Sequence, residues 1–417
     1  MEQRKLYKTL ENAFKHFPDF ESDKLLLSFV LKEVINHENI EITGGRLWEL
    51  NDSKAAYIMA EQHGEVEKIR KGYALKLADY PIFYEVGKNR SILAKETDKY
   101  LSNLGIHLYS ATGIGERFKI KDKEGKEQYL YQYIMAFNSR DMNINLMNTM
   151  NIISTSVSSM LRTRGIEKKA RAIEKDLVKA REIQRSILPE HEYSFANYEI
   201  FGISIPDKIV GGDFFDYLTF GTEKDKLGVA IGDAASKGFS AAAQALYVSG
   251  ALKMGTENEL KMTSVMKKIN SLVHRVFPDE RFVTLFYMEL YNDLKGLCLY
   301  VNAGHNPPIH LNYATNSMEV LDATGPVLGP APDQDYNTDS LYLDKNDLMV
   351  LYTDGIVEAA NGKFEFYGED RLKEVILNSK NFSAKEICAH IIEDVQKFAI
   401  RGKYSDDKTV VVVKRIK

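Results

Sequence analysis

Four short acidic motifs in the second half of the chain constrain its fold more than any other feature. They are GGDFFDY at Gly211–Tyr217, IGDAASKG at Ile231–Gly238, LYTDGIVEA at Leu351–Ala359 and YSDDKTVVVV at Tyr404–Val413. Each sets an Asp directly before or after an apolar, β-forming run, beside Gly, Ala or Ser. An Asp at a strand end with small neighbours can turn its oxygens toward a point shared with other strand ends. Several such carboxylates, with no Cys and few His among them, suit a hard cation such as Mg²⁺ or Mn²⁺ rather than Zn²⁺.

Composition narrows the remaining possibilities. A chain of 417 residues has room for two or three domains. Its 44% hydrophobic and 27% charged content is that of ordinary globular protein. A net charge of -4 speaks against a nucleic-acid partner held by phosphate neutralisation. The two cysteines, Cys298 and Cys388, have no metal-binding spacing and read as small buried apolar side chains in a reducing compartment. The start, MEQRKLYKTLENAFKHF, is charged and amphipathic, without the apolar core of a signal peptide. No stretch approaches the ~20 apolar residues that span a bilayer. The expectation is a cytoplasmic protein with no membrane partner.

Periodicity divides the chain into three segments, expected as domains at 1–141, 142–189 and 190–417. In the first, a helical pattern over Lys24–Asn36 precedes short β-like runs at Gly45–Leu50, Ala55–Ala60, Gly72–Leu77 and Gln128–Phe137, with turn-rich pieces between them. The Gly-x-Gly at Gly113 and Gly115 reads as a turn rather than a phosphate loop. From Met142 to Leu188 only Gly165 interrupts the helix-forming residues, and Pro189 ends the run. Leu146, Met150, Ile153, Val157 and Met160 form one apolar series. Ile166, Ala170, Ile173, Leu177, Ala180, Gln184 and Ile187 form a second, shifted in phase and spaced like a coiled-coil seam. A parallel homodimer through Ile166–Ile187 is therefore expected. The phase break at Arg164 and Gly165 is a place where helix register could change. After Tyr193, strand-like runs at Tyr198–Ile205, Leu227–Ile231, Phe282–Leu290, Leu348–Tyr352 and Thr409–Val413 alternate with helical patterns at Phe239–Met254, Met262–Val276, Arg371–Ser379 and Ala384–Ile400.

The order, spacing and flanks of the four motifs resemble the SpoIIE-like branch of the PPM (type 2C) metal-dependent protein phosphatases. The segment AREIQRSILPE, Ala180–Glu190, is similar to the run joining linker helix to catalytic domain in RsbU-like members of that family. The layout of the first segment resembles a GAF-type sensory domain, with PAS the alternative. The resemblance implies an α+β protein. Its parts would be a GAF-like or PAS-like sensor, a helical coiled-coil linker and a PPM-type domain of two packed, mainly antiparallel sheets flanked by helices. It implies two divalent cations, Mn²⁺ or Mg²⁺, held by Asp213 and Asp233, the backbone carbonyl of Ala234, Asp354 and Asp406. Asp407, Asp216, Glu358 and His305 are weaker candidates. A pair of such ions activates one water and neutralises phosphoryl oxygens, so no catalytic side chain is named beyond that water. The implied activity is hydrolysis of phosphoserine or phosphothreonine on a protein. By resemblance the substrate is a STAS-domain anti-anti-sigma factor in bacterial partner switching.

Two departures from type 2C enzymes stand out. No His follows Asp233, where those enzymes carry one able to protonate the leaving alcohol, and the Arg that grips phosphate has no clear counterpart. His305, in the run NAGHNPPIH, reads either as a proton donor or as a residue bracing the loops. The helix expected after Asp233 carries Ser240-Ala241-Ala242-Ala243, small residues that let it pack closely and shift. An alternative reading is an inactive phosphatase-like module that sequesters a partner, and the intact carboxylate set speaks against it. A diguanylate cyclase loop fails because Phe214 stands where that motif needs an acid.

Overall fold

The computed structural model describes residues 20–36, 42–94, 103, 109–122, 125–139, 144–220, 223–258, 260–277, 282–400, 402 and 406–417. The amphipathic start of the chain, and Tyr404 and Ser405 of the last acidic motif, lie outside the described residues. The chain divides into two compact units, Met1–Ala172 and Ile173–Lys417.

The first unit is built on one antiparallel sheet of six strands in the order β3-β2-β1-β6-β5-β4. The strands are β1 (Ile42–Leu50), β2 (Ala56–Gly64), β3 (Ala74–Lys76), β4 (Ser91–Ala94), β5 (Tyr109–Lys121) and β6 (Glu127–Ser139). Alternation along β6 gives the sheet two apolar faces. Tyr133, Met135 and Phe137 join a core with Leu27 and Leu31 of α1 (Asp23–Ile35) and with Met150, Ile153 and Val157 of α3 (Ile144–Ile187). Ile134 and Ala136 face the other way, into a core with Trp48, Tyr57, and Phe83 and Val86 of α2 (Ile82–Asn89).

Gly113 and Gly115 are neither a turn nor a phosphate loop. Both lie within β5, where the pairing with β6 slips between Ile114 and Arg117. Gly115 takes φ +85°, a backbone conformation that glycine supplies without steric cost. Its N–H donates to Ser158 Oγ at 3.0 Å. A bulge inside a strand and a loop look alike in sequence, because both call for a residue without a Cβ.

The long helix α3 runs from Ile144 to Ile187 through Gly165 without interruption. Its first apolar series is sunk in the core of the first unit. Its second leaves Ile166, Ile173 and Ile187 exposed.

The second unit stacks two antiparallel sheets between two helical layers. One sheet has the order β15-β12-β11-β10-β9, the other β14-β13-β16-β17-β8-β7, with β7 at Glu192–Phe195, β13 at Ile309–Leu311, β14 at Met318–Val320 and β15 at Asp339–Tyr342. The central strands of the first are β10 (Glu223–Ala234), β11 (Val283–Tyr291) and β12 (Leu297–Ala303), with β9 (Phe214–Phe220) at its edge. In the second they are β8 (Tyr198–Ile205), β16 (Leu348–Tyr352) and β17 (Lys408–Arg415). Period-two alternation decides which side chain meets which layer. Val229, Ile231, Phe286 and Met288 point inward to meet Met349, Leu351, Val411 and Val413 of the opposing sheet.

The opposite faces are covered by helices. Ala230, Leu285 and Tyr287 pack under α4 (Phe239–Glu257) and α5 (Met262–Val276). Val350, Tyr352, Val410 and Val412 pack under α7 (Glu369–Ser379) and α8 (Ala384–Phe398). Each buried Val, Ile or Leu contributes roughly 1.5–3 kcal/mol, so the doubly covered β17 anchors the sandwich. Ser383 and Glu386 form a capping box at the start of α8. Cys298 and Cys388 are buried and unbonded to each other.

Candidate metal centre

Antiparallel pairing brings the four motifs to one edge. Gly232, near the end of β10, stands opposite Phe214 at the start of β9, so Asp213 and Asp233 share that edge. In the other sheet Tyr352, the last residue of β16, stands opposite Val410 near the start of β17. Asp354 therefore opens the short helix α6 (Asp354–Val357) beside Asp406 and Asp407, which lead into β17. A strand end from one sheet thus meets a strand end from the other.

Hydrogen bonds across the gap fix the arrangement. Thr353 Oγ1 donates to Asp213 Oδ2 at 2.7 Å and accepts from the Thr409 N–H at 3.0 Å. The two oxygens of Asp407 accept from the Asp207 N–H at 2.8 Å and the Gly212 N–H at 2.6 Å, which pins the loop that presents Asp213. Asp406 Oδ2 lies 3.2 Å from Lys237 Nζ.

Two glycines are dictated by close approach. A Cβ on Gly355 would sit 1.9 Å from the Asp407 carbonyl oxygen. One on Gly212 would sit 2.9 Å from Ala241 Cβ and 3.0 Å from the Ala234 carbonyl oxygen.

The electrostatics are those of anions forced together. Burial, then the charge of Asp233, holds the Asp213 carboxyl well above the usual carboxylate range against the opposing hydrogen bond from Thr353. Asp233 is pushed up to about 7 by burial and by the charges of Asp354, Asp406 and Asp407. Asp354 is raised by burial and by Glu358 and Asp406. Each shift measures the cost of like charges in a place of low dielectric. Among the described residues, no three His, Cys, Asp or Glu side chains are gathered tightly enough to enclose an ion as they stand. The donor set is all oxygen, with the Ala234 carbonyl beside the carboxylates, and it fits hard divalent cations rather than zinc.

The remaining candidates fall elsewhere. Glu358, exposed at the end of α6, acts on Asp354 through charge. Asp216 is on the other face of β9, where it accepts from Ser249 Oγ at 2.9 Å and pairs with Lys253 Nζ at 2.9 Å, both on α4. His305 is buried; its Nδ1 shares a hydrogen bond of 2.8 Å with the Thr284 hydroxyl, and Thr284 stands opposite Asp233 in the ladder. The Asn302 side chain accepts from the His305 N–H at 2.8 Å and donates to its carbonyl at 3.1 Å. This histidine therefore braces the loop.

Gln184 does not occupy a coiled-coil seam position. It is buried in the second unit, its Nε2 donating to the Gly211 carbonyl at 2.7 Å and its Oε1 accepting from the Gly211 N–H at 3.3 Å. Thr353 and Gln184 escaped the sequence reading as site neighbours. A polar residue within an apolar series, at Gln184, was the available signal.

The family model described as Stage II sporulation protein E (SpoIIE) matches residues 223–416. Residues 223–416, within the C-terminal unit, are thus similar to a SpoIIE-type PPM phosphatase domain. Phosphoserine phosphatase RsbU of Bacillus subtilis (strain 168) is 29% identical over 254 residues, covering 60% of this chain and 72% of RsbU. Protein IcfG of Synechocystis sp. is 28% identical over 270 residues, covering 58% of this chain and 41% of IcfG. The fold of the phosphatase domain is shared with the SiaA-PP2C domain of Pseudomonas aeruginosa. The TM-score is 0.50 at 17% identity, over 60% of this chain and 99% of that one. The family match begins beyond the Gly211–Tyr217 motif, so only the geometry above joins Asp213 to the carboxylate edge.

Proposed function

We propose that the chain is a sensor-regulated protein phosphatase that hydrolyses phosphoserine or phosphothreonine, with Asp213, Asp233, the Ala234 carbonyl, Asp354 and Asp406 holding two divalent cations, Mn²⁺ or Mg²⁺. The observation that carries this reading is the meeting of aspartates from both sheets at one edge. Bound there, the cations supply an activated water and neutralise the phosphoryl oxygens. Hydrolysis would consume that water and release inorganic phosphate and the free side-chain hydroxyl, a proton of the water ending on the leaving oxygen. The chain's own contribution is positional. Thr353 and Asp407 hold Asp213 and its loop, and Thr284 and His305 brace the strand end that carries Asp233.

The name of RsbU as a phosphoserine phosphatase supports a phosphoserine substrate, and the motif resemblance points to a phosphorylated STAS-domain anti-anti-sigma factor. The six-stranded sheet with a long exit helix supports a GAF-like sensor over 1–141, a helical linker over 142–189 and the phosphatase over 190–417. Among the described residues no helix is long and apolar enough to cross a membrane, which supports a cytoplasmic location. The exposed Ile166 and Ile173, one heptad apart, support a homodimer through the linker helix.

The test is turnover of a phosphoserine-bearing STAS protein by the purified chain. Activity should require Mn²⁺ or Mg²⁺ and vanish in excess chelator, and Asp354→Asn should lower it by about 100-fold or more. Full turnover in chelator would sink the metal assignment.

A further inference from the structure

Beside the carboxylate edge lies a cleft of about 410 Å³ whose walls include Arg181, Gln184, Arg185, Ser204, Gly211 and Asp213. We propose that this cleft receives the phosphorylated side chain of the substrate, with Arg181 and Arg185 of the linker helix gripping its phosphoryl oxygens. The proposal rests on the phosphatase reading and supplies what the acidic motifs lack, since none of the four contains an arginine.

Three observations carry it. Arg181 and Arg185 are four residues apart on α3, so they lie on one face of the helix, one turn apart. Gln184, between them, is locked to Gly211 by two hydrogen bonds, which ties that turn to the loop presenting Asp213. The buried Nε of Arg181 has no hydrogen-bond partner among the described residues, and a buried donor without an acceptor is costly unless a ligand supplies one. Guanidinium groups are planar forks that match phosphate oxygens two at a time. The volume falls within the roughly 300–1,000 Å³ of small-ligand pockets, enough for a phosphorylated side chain. Substrate recognition would then depend on the docked end of the linker helix itself.

The experiment uses the full chain and two probes, inorganic phosphate and a phosphoserine-bearing STAS protein. Calorimetric affinity for inorganic phosphate, measured in chelator, isolates the arginines from the cations. Arg181→Gln and Arg185→Gln should each weaken it on the order of tenfold. With Mn²⁺ present, KM for the phosphoprotein should rise in parallel while kcat stays within about twofold, and Arg181→Lys should restore part of the loss. Arg275→Gln, on α5 and outside the cleft, should change nothing.

Unchanged phosphate affinity and KM in the double Gln variant would overturn the proposal. So would a loss that tracks a lowered unfolding midpoint and is not relieved by lysine. A wild-type chain that binds phosphate through these arginines yet hydrolyses no phosphoserine protein in Mn²⁺ would uphold the anion site and overturn the phosphatase reading.

Discussion

At the scale of single residues, the site separates groups that touch the reaction from groups that hold them in place, and His305 belongs with the second. Burial drives its pKa from 6.5 to about 3, against a small opposing influence from the Tyr352 carbonyl. The imidazole is therefore held in its neutral form near neutral pH. An unfolded chain takes up a proton at His305 below about pH 6.5, whereas the folded chain does so only near 3. This residue's contribution to stability is thus complete above pH 6.5 and is lost as the pH falls toward 3, at no more than about 1.4 kcal/mol per pH unit. His305→Gln should flatten that acid loss of stability in denaturant titrations. It should leave the shape of the pH–rate profile as in wild type; a displaced apparent pKa would mean the imidazole exchanges protons during turnover. The aspartates themselves were legible in the sequence because a strand-end Asp beside Gly is a local pattern. Thr353 and Gln184 were not, since a hydroxyl or amide takes its meaning from the group opposite, and those groups lie 140 and 27 residues away.

At the scale of elements, α4 is fastened to the sheet beneath it by a polar lock. Lys253 Nζ lies 2.9 Å from Asp216 Oδ2 and donates to the Ile187 carbonyl at 3.3 Å, so one ammonium joins α4 to β9 and to the last residue of α3. Burial raises the Asp216 carboxyl, and the lysine and the Ser249 hydroxyl oppose that rise. Removing Lys253 leaves a carboxylate with 3% exposure short of its cation. Lys253→Met should cost about 2–3 kcal/mol, below the ~3–5 kcal/mol of fully buried pairs because the lysine is 37% exposed. The double variant Lys253→Met/Asp216→Leu should recover much of that loss. Chemical denaturation of both singles and the double gives the coupling, and strictly additive costs would show that the lock is not one unit. Helix α4 was expected from its run of small residues. Its fastening was not, because Asp216 sits in the same motif as Asp213 and only the pleat of β9 sends the two to different faces.

At the scale of the whole molecule, a helix of 44 residues passes from the first unit into the second. Its two apolar series have different fates. The first is consumed within its own unit, whereas Ile166 and Ile173 each remain 62% exposed. Contiguous exposed apolar positions at heptad spacing are best covered by a second copy of the same helix. If the proposed dimer forms through this seam, Ile173→Lys with Leu177→Lys should yield monomers in light scattering, since each buried seam position contributes on the order of 1–3 kcal/mol. An unchanged dimer would place the association elsewhere.

What the sequence determined by itself was whatever depends on periodicity and local chemistry. That covers the helical and strand-like runs, the long linker helix, the oxygen-only character of the site and the resemblance to the phosphatases. Tertiary structure decided which carboxylates meet. Asp213 and Asp216 are three residues apart in one motif, yet the first faces Thr353 of the opposing sheet and the second faces α4. Likewise Gln184 follows the heptad of its neighbours but bonds to Gly211 instead of joining a seam. The reason is physical. Alternation along a strand and rotation around a helix fix the direction of a side chain, but what stands in that direction is set by chain that is remote in sequence.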